Sequence, residues 1–163
     1  MWQGAEQIDV AAPPELVWAI VTNVERHPDL AGSGEVRSIR MDGPLAVGTE
    51  WEAEIGVAKV GEPFMSRSLV ISLDEPSEFA WTSIPLVDDN PDERPLVTWS
   101  FVISPSGDGC TVEHTCRVDA PKIGPDEFRV FFLEQLNRPP TILAGMRKTL
   151  DNVKTLAEQP VES

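Results

Sequence analysis

Two side chains in this 163-residue sequence stand out as able to do chemistry, and the first is His114. Residues 111–118 alternate between polar and apolar side chains, as expected for a strand with one wet face and one dry face. His114 falls on the apolar side with Val112, Cys116 and Val118. An imidazole there is able to hydrogen-bond a ligand or to act as a general acid or base. The alternative is a core histidine satisfied by its neighbours.

The second is Arg67, which shares one side of the alternating segment 67–73 with Leu69 and Ile71. This pattern predicts that Arg67 points inward, where a guanidinium needs an acidic partner or an anionic ligand group. The other interpretation is a position at the rim, with the charged head in solvent. His114 and Arg67 are thus the candidate catalytic residues, and whether the protein is an enzyme stays open.

The common catalytic and metal-binding motifs are absent from the sequence. It has no Gly-rich phosphate loop, no His-Glu-x-x-His and no Gly-x-Ser-x-Gly. Two histidines and two cysteines are too few for a metal centre. Cys110 and Cys116 fall in one extended segment, which places them roughly 20 Å apart and beyond disulfide reach. We therefore expect free thiols, no metal and no cofactor.

The elements that position these side chains are mostly strands, because from residue 35 onward the pattern changes to a period of two. The clearest case is residues 48–55, where Trp51, Ala53 and Ile55 alternate with glutamates. Further inward positions are assigned by the same alternation to Phe79, Trp81, Val97, Trp99, Phe101 and Ile103. Turn-forming residues at 75–77 and 104–109 separate the strands. This order predicts an antiparallel meander.

Helices are predicted on either side of this meander. After a short strand at residues 7–10, residues 12–15 open a helix with two prolines in its first turn. Its buried face is predicted to carry Leu16, Val17, Ile20, Val21 and Val24. A turn or a second short helix follows, up to residue 30.

A long closing helix is predicted near the C-terminus. Ile142, Met146, Leu150 and Val153 recur at steps of four, four and three. An unbroken helix over residues 140–159 is about 30 Å long, enough to cross a sheet of this size. The pair at 139–140 is Pro-Pro and predicts either a kink or a break.

The formal charge of −14 is the strongest bias in the composition. Nucleic-acid binding relies on clustered Lys and Arg, which are scattered singly here, so no nucleic-acid partner is expected. No apolar run approaches the roughly 18 residues of a membrane span, and the first residues do not form a secretory signal. We expect a cytoplasmic protein without stable membrane insertion, either a monomer or a homodimer.

Five local sequences carry a resemblance to a known family: APPELVW at 12–18, VERHP at 24–28, VGTEW at 47–51, DEP at 74–76 and GDGCTV at 107–112. Together with the order of elements they resemble the START-like (SRPBCC) superfamily, which has the Bet v 1-like helix-grip fold. The chain is most similar to its bacterial polyketide cyclase/dehydrase and lipid-transport group. The resemblance implies an α+β fold with a seven-stranded curved antiparallel sheet wrapped around the long C-terminal helix, and two short helices after the first strand.

The resemblance covers about residues 5–157 and implies a single START-like ligand-binding domain over residues 1–158, followed by a tail at 159–163. It also implies a cavity between sheet and closing helix for a mostly apolar ligand. The expected ligand-binding residues are Trp51, Ile55, Arg67, Leu69, Trp81, Trp99, Phe101, His114, Phe132 and Met146.

Binding or transport of a hydrophobic small molecule, such as a lipid, a fatty acyl chain or a polyketide, is the leading hypothesis for function. One alternative is a polyketide cyclase/dehydratase-type enzyme that uses the same cavity, and another is a protein-interaction module. Relatives with cyclase activity often use a tyrosine in the pocket, and this chain has none. Residues 84–95 form a long connection that is either a lid over the cavity or a solvated loop.

Overall fold

The computed structural model, which describes residues 1–87 and 89–160, contains an open seven-stranded antiparallel sheet and a long C-terminal helix. The strands are β1 (Trp2–Val10), β2 (Val36–Met41), β3 (Glu50–Ile55), β4 (Phe64–Asp74), β5 (Glu78–Pro85), β6 (Leu96–Ser106) and β7 (Gly109–Asp119). The helices are α1 (Pro14–Val21), α2 (His27–Leu30), α3 (Pro125–Val130) and α4 (Arg138–Ala157). The predicted helix-grip architecture is confirmed. In the predicted tail, residues 161–163 lie outside the described residues.

Strands β2 to β7 form a meander, and β1 lies at the edge of the sheet beside β7. Its strand order is β1-β7-β6-β5-β4-β3-β2, and every neighbouring pair is antiparallel. β1 runs from Trp2 to Val10, longer than the predicted strand at 7–10. Its first half carries Gly4 and Glu6 at the half-buried positions, so hydrophobic alternation does not reveal it. Backbone pairing with β7 along the whole strand forms it instead.

Cross-strand register decides which side chains share the inner face, because directly paired residues point to the same side of a sheet. Trp99 pairs with Trp81 on one side and with Cys116 on the other. One step along the sheet, Phe101 pairs with His114. The inward positions predicted for the strands β3, β5, β6 and β7 are therefore confirmed.

The orientation predicted for β4 is wrong. Ser66, Ser68 and Val70 are buried, whereas Leu69 and Ile71 are 38% and 45% exposed on the outer face. Register explains the reversal, since Ser68 pairs with the inward Trp51, and Val70 with the inward Trp81. An irregularity between Val70 and Ser72 then shifts the phase, so that the strand's later apolar position at Leu73 packs against the core.

The first helix is confirmed, but its buried face differs by one position from the prediction. Val17, Trp18 and Val21 are its buried residues, while Leu16 is 42% exposed. A turn at Val24–Arg26 connects α1 to the short α2, which begins at His27. The second short helix is thereby confirmed as well.

The chain breaks ahead of α4 rather than within it. Residues after α3 continue as a π-helical turn, Phe131–Gln135, and Asn137 then adopts a left-handed conformation with φ of 49°. Pro139 and Pro140 lie in the first turn of α4, where the missing N–H groups cost no hydrogen bond. The predicted apolar face of this helix is confirmed, since its four members are buried: Ile142, Met146, Leu150 and Val153.

Close backbone contact fixes the segment before β2 against α4. The N–H of Gly32 donates to Thr149 Oγ1 at 2.8 Å, and Thr149 Oγ1 donates in turn to the carbonyl of Gly145 at 2.9 Å. A Cβ added at Gly32 would lie 2.6 Å from Gly145 O. Only glycine therefore fits at this crossing.

Candidate ligand-binding cavity

A cavity of about 550 Å³ lies between the inner face of the sheet and α4. Its wall is largely apolar and comes from the strands β2 to β7, from the segment around α3 and from α4. Eight of the ten expected ligand-binding residues line it: Trp51, Ile55, Trp81, Trp99, Phe101, His114, Phe132 and Met146. Positions that are far apart in the sequence thus converge on one space.

The other two expected residues, Arg67 and Leu69, lie on the outer face of β4, so their predicted inward positions are wrong. Arg67 Nη2 donates to Asp42 at 2.7 Å and to Glu50 at 3.0 Å, and Nη1 donates to Glu52 at 3.1 Å. The hydrogen bonds to Glu50 and then to Asp42 raise the pKa of Arg67 above its ordinary value. Carboxylates on the outer face therefore hold this guanidinium away from the cavity.

Four aromatic side chains form a continuous surface at one end of the cavity, which we call the aromatic floor: Trp51, Trp81, Trp99 and Phe101. Trp81 is central to it, with ring centroids 5.9 Å from Trp51, 6.5 Å from Trp99 and 6.0 Å from Phe101. The rings of Trp81 and Trp99 are stacked at 19°. Such a floor offers an apolar aromatic surface to a planar or unsaturated ligand.

His114 lies at the edge of the aromatic floor. Its ring stacks on Phe101 with centroids 4.0 Å apart and planes at 5°, and its Nδ1 lies 2.8 Å from the carbonyl oxygen of Ser100. The side chain is 4% exposed, and burial lowers the pKa of His114 to about 4. The imidazole is therefore neutral at physiological pH.

His27 is a second cavity histidine, and sequence reasoning missed it. It begins α2, lines the cavity and contacts Trp81 at a centroid distance of 5.5 Å. Its Nε2 lies 2.8 Å from the carbonyl oxygen of Val21, and burial lowers its pKa. The sequence did carry one signal for it, because His27 lies at a spacing of three residues from both Val24 and Leu30. All three side chains are buried in the structure.

Three serines add hydroxyl groups to the wall beside Trp51. Ser66 and Ser68 belong to β4, and Ser83 pairs directly with Ser68 from β5. Ser66 and Ser68 are only 4% and 3% exposed. In the described part of the chain no side-chain oxygen is both fully enclosed and unbonded, so these two hydroxyls open onto the cavity. The sequence analysis missed Ser66 and Ser68 because polar residues at alternating positions of a strand usually mark its solvent-facing side.

A bidentate salt bridge between Arg138 and Glu35 borders the cavity near the start of α4. Arg138 Nη1 and Nη2 donate to the two carboxylate oxygens of Glu35, each at 2.8 Å. The side chains of Arg138 and Glu35 are 15% and 18% exposed, so the bridge is largely shielded from water. It joins the segment before β2 to the first turn of α4.

Part of the segment 84–95 contributes to the cavity wall. β5 continues through Pro85, and Val87, Glu93 and Pro95 line the cavity. Within this segment, Asp88 lies outside the described residues. The solvated loop and the lid both remain predictions for the segment 84–95.

Neither a metal cluster nor a membrane span is found within residues 1–87 and 89–160. No three His, Cys, Asp or Glu side chains there lie close enough to hold a metal ion together. No helix in the same ranges combines the length and the apolar character needed to cross a bilayer. Cys110 and Cys116 are both free and buried, and burial raises the pKa of the Cys116 thiol to about 12.

The sequence of this chain matches a known protein family along nearly its whole length. Residues 1–158 match the family model described as polyketide cyclase/dehydrase and lipid transport. The chain belongs to this family. Two uncharacterised proteins from two strains of Mycobacterium tuberculosis are each 35% identical to it over 83 residues, which is 50% of this chain. The match spans 36% of the length of those relatives.

Three solved structures resemble nearly the whole chain in fold at low sequence identity. The di-domain ARO/CYC StfQ from the steffimycin biosynthetic pathway matches with a TM-score of 0.72 and 14% identity, over 96% of this chain and 50% of StfQ. Major latex-like protein 151 from Panax ginseng matches with a TM-score of 0.65 and 11% identity, over 97% and 98% of the two chains. Protein CV1439 from Chromobacterium violaceum matches with a TM-score of 0.63 and 14% identity, over 97% of this chain and 98% of CV1439. At these identities the likeness concerns the fold alone.

Proposed function

We propose that this protein binds or carries a hydrophobic small molecule in the cavity between the sheet and α4. The observation that carries the proposal is the open space itself. About 550 Å³ remains between large side chains that would otherwise close together, and this volume is typical of small-molecule sites. A cavity filled by Trp51, Trp81, Trp99 and Phe132 would have favoured a protein-interaction module instead.

The balance of polar and apolar groups in the wall supports the same proposal. Polar side chains, among them two histidines and four serines, interrupt a wall of aromatic and aliphatic groups. This is the usual composition of a site in which apolar contact gives affinity and a few hydrogen bonds fix orientation. A lipid, a fatty acyl chain or a polyketide-like molecule fits that description.

A test of this proposal combines ligand discovery with a blocked cavity. Native mass spectrometry of the purified protein should detect a co-purifying apolar ligand, or tryptophan fluorescence should change when lipids and aromatic compounds are added. Ser66→Phe places a ring into the cavity and should abolish these signals. Leu69→Phe places the same ring on the outer face of β4 and should leave them intact. No ligand and no fluorescence response in the wild type would contradict the proposal.

A polyketide cyclase/dehydratase-type activity is the second candidate function. The observation in its favour is that His27 and His114 both border the aromatic floor as neutral imidazoles, the form that accepts a proton. His114→Asn separates this candidate from simple binding. Loss of turnover with unchanged ligand affinity would support an enzyme, and unchanged turnover would remove His114 from the catalytic role. Arg67, on the outer face, is no longer a candidate.

We also propose that residues 1–158 work as one ligand-binding domain in the cytoplasm, as a monomer or a homodimer without a nucleic-acid partner. The charge of −14 supports the last point, because it repels phosphate backbones. Light scattering coupled to size-exclusion chromatography measures the oligomeric state directly. A larger assembly would contradict this part of the proposal.

A further inference from the structure

The hydrogen bond between His114 and Ser100 fixes which ring nitrogen of His114 carries the proton. A carbonyl oxygen only accepts, so the contact at 2.8 Å requires Nδ1 of His114 to be the donor. A neutral imidazole has one N–H, and Nε2 is therefore left with a lone pair. Within residues 1–87 and 89–160 no enclosed side-chain nitrogen lacks a partner, and Nε2 has none, so it opens onto the cavity.

The same reasoning applies to His27 at the other side of the aromatic floor. Its Nε2 must donate to the carbonyl of Val21, at 2.8 Å, and Nδ1 is left as the acceptor nitrogen. A chain of ring contacts connects the two histidines, through Trp81 at 5.5 Å from His27 and Phe101 at 4.0 Å from His114. The polar groups around the aromatic floor are thus lone-pair acceptors, together with serine hydroxyls that can turn to donate or accept.

Among the described residues that line the cavity, no unpaired Lys or Arg balances an acid. Arg138 reaches it, but both of its terminal nitrogens are engaged by Glu35 at 2.8 Å. Arg67 lies on the outer face among three carboxylates. A carboxylate placed against the aromatic floor would meet the lone pair of His114 Nε2 and would lose its hydration without an ionic partner.

We propose, on the basis of the binding function above, that the ligand is an uncharged planar molecule whose hydroxyl group donates a hydrogen bond to His114 Nε2 while its ring system lies on the aromatic floor. Such a molecule satisfies the exposed lone pair and buries its ring system in apolar contact with Trp81, Trp99 and Phe101. Ser66 and Ser68 remain available to a second oxygen of the ligand. Fatty acids and other ionised acids are excluded from this position.

Three matched probes test this assignment: 2-naphthol, 2-methoxynaphthalene and 2-naphthoate. They share a ring system, but the first has a hydroxyl donor, the second keeps the oxygen without the donor, and the third is an anion. Titration calorimetry at pH 7 should show 2-naphthol binding roughly tenfold more tightly than either of the others, the effect of one hydrogen bond to a buried acceptor. In His114→Phe, which keeps a ring against Phe101, the advantage over the methyl ether should disappear.

Nitrogen-15 NMR of the wild-type protein provides a readout that does not depend on any variant. The signal of unprotonated His114 Nε2 should move upfield when 2-naphthol is added and should stay in place with 2-methoxynaphthalene. Equal binding of the three probes, tighter binding of 2-naphthoate, or a preference that survives in His114→Phe would overturn the assignment while leaving hydrophobic binding intact. Binding of none of the three would overturn the assignment alone, and the proposed function is contradicted only when the lipids and aromatic compounds of the earlier test also give no response.

Discussion

At the scale of single residues, burial of two imidazoles ties the stability of the protein to pH. Burial lowers the pKa of His114 from 6.5 to about 4 and that of His27 in the same direction. Between pH 6.5 and about 4 the unfolded chain binds a proton at position 114 that the folded chain does not bind, and the lowered pKa of His27 acts in the same direction. Stability must therefore fall as pH drops through this interval, and it is fully present above pH 6.5.

We predict that the free energy of unfolding decreases by roughly 3 kcal/mol between pH 6.5 and pH 4 through His114 alone. Urea denaturation at a series of pH values measures it. His114→Phe should flatten the dependence over this window, while the decrease caused by His27 persists. An identical pH profile for the variant and the wild type would show that His114 is not neutral in the folded protein.

The sequence predicted some of these residues and not others for definite reasons. His114 could be placed because its strand alternates cleanly, with Val112 and Cys116 on the same side. Ser66 and Ser68 could not, since inward serines imitate the pattern of an outward face, and only pairing with Trp51 and Trp81 fixes their strand. Where a cavity wall presents hydroxyl groups, the polar/apolar pattern of a strand therefore fails to predict which of its faces points inward.

At the scale of elements, the crossing of α4 with the segment before β2 depends on the absence of a side chain at Gly32. A Cβ there would lie 2.6 Å from Gly145 O and 2.7 Å from Thr149 N. Both neighbours are backbone atoms of a long helix, so they have little freedom to move. The segment that leads into β2 also carries Glu35, so displacement here would disturb the cavity rim.

We expect Gly32→Ala to lower the free energy of unfolding by at least about 2 kcal/mol, since it forces this segment away from α4. Gly34→Ala is the matched control. Gly34 has a φ of 69° and open space around its Cβ position, so only the backbone penalty of about 1 kcal/mol applies. Chemical denaturation of both variants distinguishes the two effects. Equal losses would mean that the crossing is not tightly packed.

The bridge between Arg138 and Glu35 is the second contact that connects these elements. Its two hydrogen bonds of 2.8 Å are largely shielded from water, so loss of one partner leaves the other charge desolvated and unpaired. Arg138→Met should therefore destabilise the protein by about 2 kcal/mol or more. The double variant Arg138→Met/Glu35→Leu should recover part of that loss. Additive losses in the double-mutant cycle would contradict direct coupling of the pair.

At the scale of the whole molecule, the order of elements was readable from the sequence, whereas the identity of the cavity's polar groups was not. Alternation and turn residues predict β3 to β7 from local sequence, and the closing helix has its own period. The first half of β1 is the exception, because its pairing with β7 forms it. The faces of β4, the break at Asn137 and the inward turn of His27 depend on contacts between distant segments. The fold class could therefore be predicted from local sequence patterns. The polar groups that a ligand meets are set by tertiary contacts, which those patterns do not show.

A cavity of this size also couples the stability of the whole domain to ligand binding. Side chains around about 550 Å³ of space lack packing partners, so a molecule that fills it should stabilise the folded state by mass action. At a ligand concentration 100 times its Kd, the expected stabilisation is about 2.7 kcal/mol, or roughly 5–10 °C in Tm for a domain of this size. Differential scanning calorimetry with saturating 2-naphthol measures the shift. Ser66→Phe should show little of it and Leu69→Phe all of it, and an equal shift in both variants would place the binding outside the cavity.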